Sequence, residues 1–161
     1  MVTLFILVFG SLLLLGIGWL GVTWLSSWRT AVRVALAIMF LFTGLTHFSD
    51  MRHDFVEMIP APLPMELWLV YVTGALEIAG ALGLLIPRLR RPAAIGLVLL
   101  LIAMFPANVH ASLNGIPLRG EPPMSLWLRL PMQLLFMGAV WWTSLRTPLH
   151  ATSQANAPQP A

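Results

Sequence analysis

The chain has 161 residues, of which 58% are hydrophobic and 9% charged, with nine basic residues that are all arginine, six acidic ones and a formal net charge of +3. A water-soluble domain carries roughly 25% charged residues, so composition alone points to a membrane protein. Cysteine is absent, which excludes disulfides, thiolate metal sites and thiol redox chemistry carried by this chain. The high isoelectric point comes from a small number of charges, and no basic patch interleaved with aromatics suggests a nucleic-acid partner.

Five apolar segments approach the roughly 20 residues that a membrane-spanning helix needs. The first, residues 2–25, carries no charge, and no basic residue precedes Arg29. A signal peptide would show a basic start, a shorter apolar run and a small-residue cleavage site, so a retained helix is expected here. Further spans are expected over residues 31–48, 67–86, 92–111 and 125–145. The second ends FLFTGLTHF, which places Phe40, Thr43, Gly44 and His47 on one helix face as a close-packing stripe with a histidine at its mouth.

Between the second and third spans, residues 49–66 form a long loop with Pro60, Pro62 and Pro64. Phe55, Met58 and Ile59 give this loop an apolar side, which suggests a short amphipathic segment at the membrane surface. The third span, YVTGALEIAGALGLLI, places a single carboxylate, Glu77, in an otherwise uncharged run. Thr73, Gly74, Gly80 and Ala81 share its face at helical spacing, so Glu77 is expected to face protein rather than lipid. It lies roughly 15 Å along the helix, near the midplane, where an ionised carboxylate needs a partner or must keep its proton.

In the fourth span Pro106 interrupts the backbone hydrogen bonding, with Asn108 and His110 just beyond it. The following loop, residues 112–124, is rich in Gly and Pro and shows no helical period. The fifth span brings in Arg129 and, one turn deeper, Gln133 on the same face. Glu77, Arg129 and Gln133 are therefore expected to form an intramembrane cluster, with Asn108 as a hydrogen-bonding residue and His47 near its edge. Two readings stand side by side: an ion pair that fixes which helices pack together, or a polar pocket for a ligand or a proton.

The arginines divide between two sides. One side carries Arg29, Arg33, Arg88, Arg90, Arg91 and Arg146; the other carries Arg52, Arg119 and Arg129 together with Asp50, Asp54, Glu57, Glu66 and Glu121. Six against three sets the first side in the cytoplasm, which puts the N-terminus outside and the C-terminus inside. Trp24 and Trp28 then mark the inner interface, and Trp68 and Trp127 the outer one. The tail over residues 147–161 has the composition of a disordered segment. His47, Asp50, His53 and Asp54 lie close in sequence, but no metal-binding pattern such as H-E-x-x-H occurs and no metal is expected. Neither a G-x-S-x-G nor a P-loop is present.

The blocks Arg33, FTGLTHF (42–48), MIPAPLP (58–64), YVTGALEIAGALGLLIP (71–87), RR (90–91), FPANVHA (105–111) and RLPMQ (129–133) resemble the DoxX-like membrane proteins in order and spacing, over residues 29–145. The resemblance implies an all-α bundle of four transmembrane helices in the bacterial inner membrane, both ends cytoplasmic. Residues 1–28 would then be an additional N-terminal transmembrane helix, residues 29–146 the DoxX-like domain and residues 147–161 the tail. For activity it implies an accessory or membrane subunit of a quinone-linked or oxidative-stress redox system, with Glu77, Asn108, Arg129, Gln133 and His47 building the shared site. A redox partner subunit and a quinone are the partners so implied, since this chain has no catalytic motif of its own. The alternatives from the residues are a non-enzymatic structural protein and a small-solute transporter, the latter weakened by the lack of an inverted repeat.

Overall fold

In the computed structural model, which describes residues 1–60, 67–118 and 120–145, the chain is helical throughout and no β-strand occurs among the described residues. The helices are α1 (Val2–Trp19), α2 (Trp28–Thr46), α3 (Arg52–Glu57), α4 (Leu67–Leu85), α5 (Arg90–Asn114) and α6 (Leu126–Ser144). Pro62, Pro64, Glu66, Arg119, Arg146 and the expected tail lie outside the described residues.

Four of these helices, α1, α2, α4 and α5, are long and apolar enough to cross a membrane. The fifth expected span is present as α6, 19 residues long, but Arg129, Pro131 and Gln133 leave it less apolar than those four. Large side chains such as Phe5, Leu12, Leu13, Leu99 and Leu134 are exposed along α1, α5 and α6. Apolar faces of this extent on helices suit a lipid surround.

Helix boundaries follow from local chemistry. The first span was expected to run to residue 25, yet α1 stops at Trp19 because Gly21 takes φ 128°, which is accessible to glycine. The chain then folds back through a short 3-10 turn, Thr23–Leu25, whose backbone rests on Gly18; a methyl at Gly18 would lie 2.6 Å from Leu25 C. Helix α5 begins before Pro92, which is tolerated in a first turn where no N–H is needed, and ends on the left-handed Gly115.

Helix α2 is the central element: half of its span is buried, against 17% for α1. It packs against α1, α4 and α6, while α5 packs between α4 and α6. The core sits around Leu36, Met39 and Phe40 of α2, with Leu84 of α4, Leu97 of α5 and Val140 of α6. Leu7 of α1 joins the same core, and Gly10 lets α1 approach Ala35. The loop expected to hold a short amphipathic segment contains α3, which packs on α4, and Met58 and Ile59 of its apolar side are buried against the protein.

Candidate functional site

Two glycines bring α2 and α4 close together. A methyl on Gly74 would lie 2.5 Å from His47 Cβ and 3.0 Å from the Gly44 carbonyl oxygen. A methyl on Gly44 would lie 3.0 Å from the Gly74 carbonyl oxygen and 3.2 Å from Glu77 Cβ. With α2 and α4 this near, the side chains one turn away must meet.

Glu77, 5% exposed, meets Thr43, whose hydroxyl donates to Glu77 Oε2 at 2.7 Å. The same hydroxyl lies 3.2 Å from the carbonyl oxygen of Phe40, one turn back on its own helix. Thr43 also presents its main-chain carbonyl. Helix α2 tightens at its end, His47 N donating to Gly44, so the Thr43 oxygen is among the carbonyls a helix leaves for other partners. His47 shares it with the Thr46 hydroxyl, which donates to the same oxygen: Nδ1 lies 3.0 Å from Thr43 O. A carbonyl only accepts, so the proton of a neutral ring sits on Nδ1 and Nε2 is left as acceptor. The ring is 4% exposed and stacks on Phe55 of α3 at 4.5 Å. His47 lies one residue past the α2 span, and burial holds its pKa below the ordinary 6.5 while the Thr43 bond works in the opposite direction.

A second polar group lies between α5 and α6. Arg129 Nη1 donates to Asn108 Oδ1 at 2.8 Å and its Nε to the Met124 carbonyl at 3.2 Å. Gln133 Nε2 donates to the Leu101 carbonyl at 2.7 Å. Leu101 is the neighbour of Ile102, whose carbonyl Pro106 deprives of its helical donor, so a side-chain amide enters where the α5 ladder is loosened.

The five residues expected to share one cluster therefore fall into two. Glu77 and His47 meet through Thr43 in the α2–α4 seam; Arg129, Asn108 and Gln133 join α5 to α6. The expected Glu77–Arg129 contact is not formed, and no cation among the described residues lies within salt-bridge distance of Glu77. The reason is rotation: Glu77 turns with Gly74 toward α2, and Arg129 folds back toward the Met124 carbonyl. Thr43 is the residue that sequence reasoning missed as Glu77's partner. Its signal was present, since Thr43 precedes Gly44 and sits four residues before His47.

His110 Nδ1 is buried without a hydrogen-bond partner among the described residues. Among those residues no group of three or more His, Asp or Glu side chains is placed to hold a metal ion.

The chain belongs to the family described as Domain of unknown function (DUF8561), whose model matches residues 36–144. The match begins within α2 and ends on the last residue of α6, so α1 lies outside it. Neither curated proteins nor solved structures provide a match.

Proposed function

We propose that this chain is a DoxX-like integral membrane protein of the bacterial inner membrane, serving as an accessory subunit of a redox system. In this reading α2, α4, α5 and α6 make the four-helix bundle, α1 is an added span, and the arginine-rich end faces the cytoplasm. The observation that supports a working role is Glu77, a buried carboxyl whose partner is a threonine hydroxyl rather than a cation.

Hydrogen-bond accounting favours the neutral acid. A protonated Glu77 gives its proton to Thr43 Oγ1, and Thr43 gives its own to the Phe40 carbonyl, so every proton has an acceptor. An ionised Glu77 would leave a charge in a low-dielectric seam with one neutral donor, a costly arrangement. Glu77 is then a proton-holding group, and Thr43 links it to His47 at the α3 end. Redox chemistry itself belongs to a partner that brings the cofactor. A quinone held between Glu77 and Arg129 forms no part of the proposal, because those groups serve different helix seams.

A second reading is architectural: the Thr43–Glu77 bond ties α2 to α4 where the glycines bring them together. The two separate in one experiment. The wild type and Glu77→Gln are purified gently from native membranes and analysed by mass spectrometry for co-purifying subunits and bound cofactors. A flavin- or haem-bearing partner retained by both proteins, with proton-coupled turnover of the complex lost in Glu77→Gln, supports the redox reading. A chain carrying only bulk lipid, with Glu77→Gln unchanged in abundance and stability, sinks it.

A further inference from the structure

The arginine-rich end of the molecule has no counter-charge in the sequence. Six of the nine arginines, Arg29, Arg33, Arg88, Arg90, Arg91 and Arg146, fall in residues 20–35, 83–95 and 140–161, and no Asp or Glu occurs in any of these segments. The fold gathers Arg29, Arg33 and Arg90, because the starts of α2 and α5 lie beside the ends of α4 and α6. Arg33 of α2, only 8% exposed, donates Nε and Nη2 to the Thr143 carbonyl near the end of α6, at 3.3 and 2.9 Å. Arg90 of α5 donates Nε to the Leu84 carbonyl near the end of α4 at 3.4 Å. Arg29 lies over the Trp142 ring at 5.7 Å, so it too is turned toward this end.

These carbonyls orient the guanidinium groups without neutralising them. Among the described residues, Nη1 of Arg33 and both terminal nitrogens of Arg90 have no protein acceptor. The helix starts add to the imbalance: α2 and α5 have neither a side-chain cap nor an acidic residue in their first turns, so each points uncompensated N–H groups at the same region. Between the two starts lies a half-open cavity of about 260 Å³, lined by Trp24, Thr30, Arg33, Val34, Leu85 and Arg90. It combines the terminal nitrogens of Arg90, the remaining Nη1 of Arg33, a hydroxyl and an apolar wall, and Trp24, Trp28 and Leu85 around it are exposed as interfacial side chains are.

We propose that the cavity between Arg33 and Arg90 binds the phosphate of an anionic phospholipid headgroup, whose acyl chains lie along Leu85 and the neighbouring apolar surface. Phosphate is the chemistry that the Arg90 fork, with a second guanidinium N–H from Arg33 beside it, recognises, and a lipid brings it to the interface where the exposed tryptophans sit. The inference rests on the chain being membrane-embedded and is independent of the role of Glu77.

The full-length protein is reconstituted in nanodiscs of phosphatidylcholine with increasing phosphatidylglycerol, and lipid retention is read by native mass spectrometry alongside thermal unfolding. The wild type should retain phosphatidylglycerol preferentially and unfold at higher temperature as its fraction rises. Arg90→Gln should weaken that preference about fivefold, the scale of one basic residue at an anionic surface, and Arg90→Lys should recover part of it. Arg52→Gln, at the opposite end beside Asp50, should leave it unchanged. Inorganic phosphate added to phosphatidylcholine discs tests the source: if it stabilises as well as the lipid, the ligand is free phosphate and the lipid assignment falls. The proposal is also overturned if phosphatidylglycerol is not preferred, or if Arg52→Gln weakens the preference as much as Arg90→Gln. Should Arg90→Gln fail to fold, the wild-type lipid comparison and Arg90→Lys still decide the matter.

Discussion

At the scale of single residues, Thr43 carries more of the site than its size suggests, since its hydroxyl serves Glu77 and its carbonyl serves His47. Thr43→Val keeps the shape and removes the hydroxyl, leaving a buried carboxyl without its partner. Such a loss costs about 1–3 kcal/mol, so thermal unfolding in detergent should show a clear drop that Thr43→Ser does not. Replacing both groups, as in Thr43→Val with Glu77→Leu, removes the polar pair together and should cost less than the two single changes added. Strict additivity would mean that the bond contributes nothing measurable.

His47 gives the same seam a pH dependence whose sign can be worked out. Its folded pKa lies below 6.5 because the ring is buried. As pH falls through 6.5, the unfolded chain takes up a proton that the folded one refuses, so stability is full above that pH and declines below it. The slope reaches at most about 1.4 kcal/mol per pH unit. Melting curves between pH 7.5 and about 5 should fall more steeply for the wild type than for His47→Gln. Equal slopes would place the proton uptake elsewhere.

At the scale of helices, glycine position decides which substitutions the bundle tolerates. Gly74→Ala pushes a methyl against His47 and the Gly44 backbone, and a helix backbone cannot yield as a flexible side chain does. A cost of about 1–3 kcal/mol is expected. Gly96 of α5 and Gly138 of α6 have nothing within 4 Å of a new methyl, so alanine there should be neutral or stabilise by up to about 1 kcal/mol through helix propensity. A thermal-stability comparison of the three variants checks this directly, and equal effects would refute the seam.

The same helices show what was legible beforehand. The face of Phe40, Thr43, Gly44 and His47 packs as its spacing predicts, because one helix period suffices to find it. The face around Glu77 was read as one stripe, yet Gly74 meets His47 of α2 while Gly80 meets Leu97 of α5. A helical wheel groups residues within one helix but cannot say how many neighbours that face will serve. Arg129 fails for a related reason: its depth followed from counting residues, but its direction depends on Asn108 and Met124, 21 and five residues away. The end of α1 escaped because apolar composition continues past Gly21, where the backbone turns.

At the scale of the whole molecule, the proposed orientation connects the carboxyl seam with the arginine end, because α2 runs from one to the other. Its start holds Arg33 and the cavity, and its end holds Thr43 and His47. If the arginines face the cytoplasm, the His47 end of the seam and α3 face outward. The absence of cysteine makes this directly measurable, since a single introduced thiol is the only one in the chain. Ser26 and Ser49 are both exposed, one in the turn before α2 and the other just beyond its end. A membrane-impermeant maleimide applied to intact spheroplasts should label Ser49→Cys at once and Ser26→Cys only after permeabilisation. The reverse pattern would invert the molecule and put the arginine end outside, with the His47 end of the seam and α3 toward the cytoplasm.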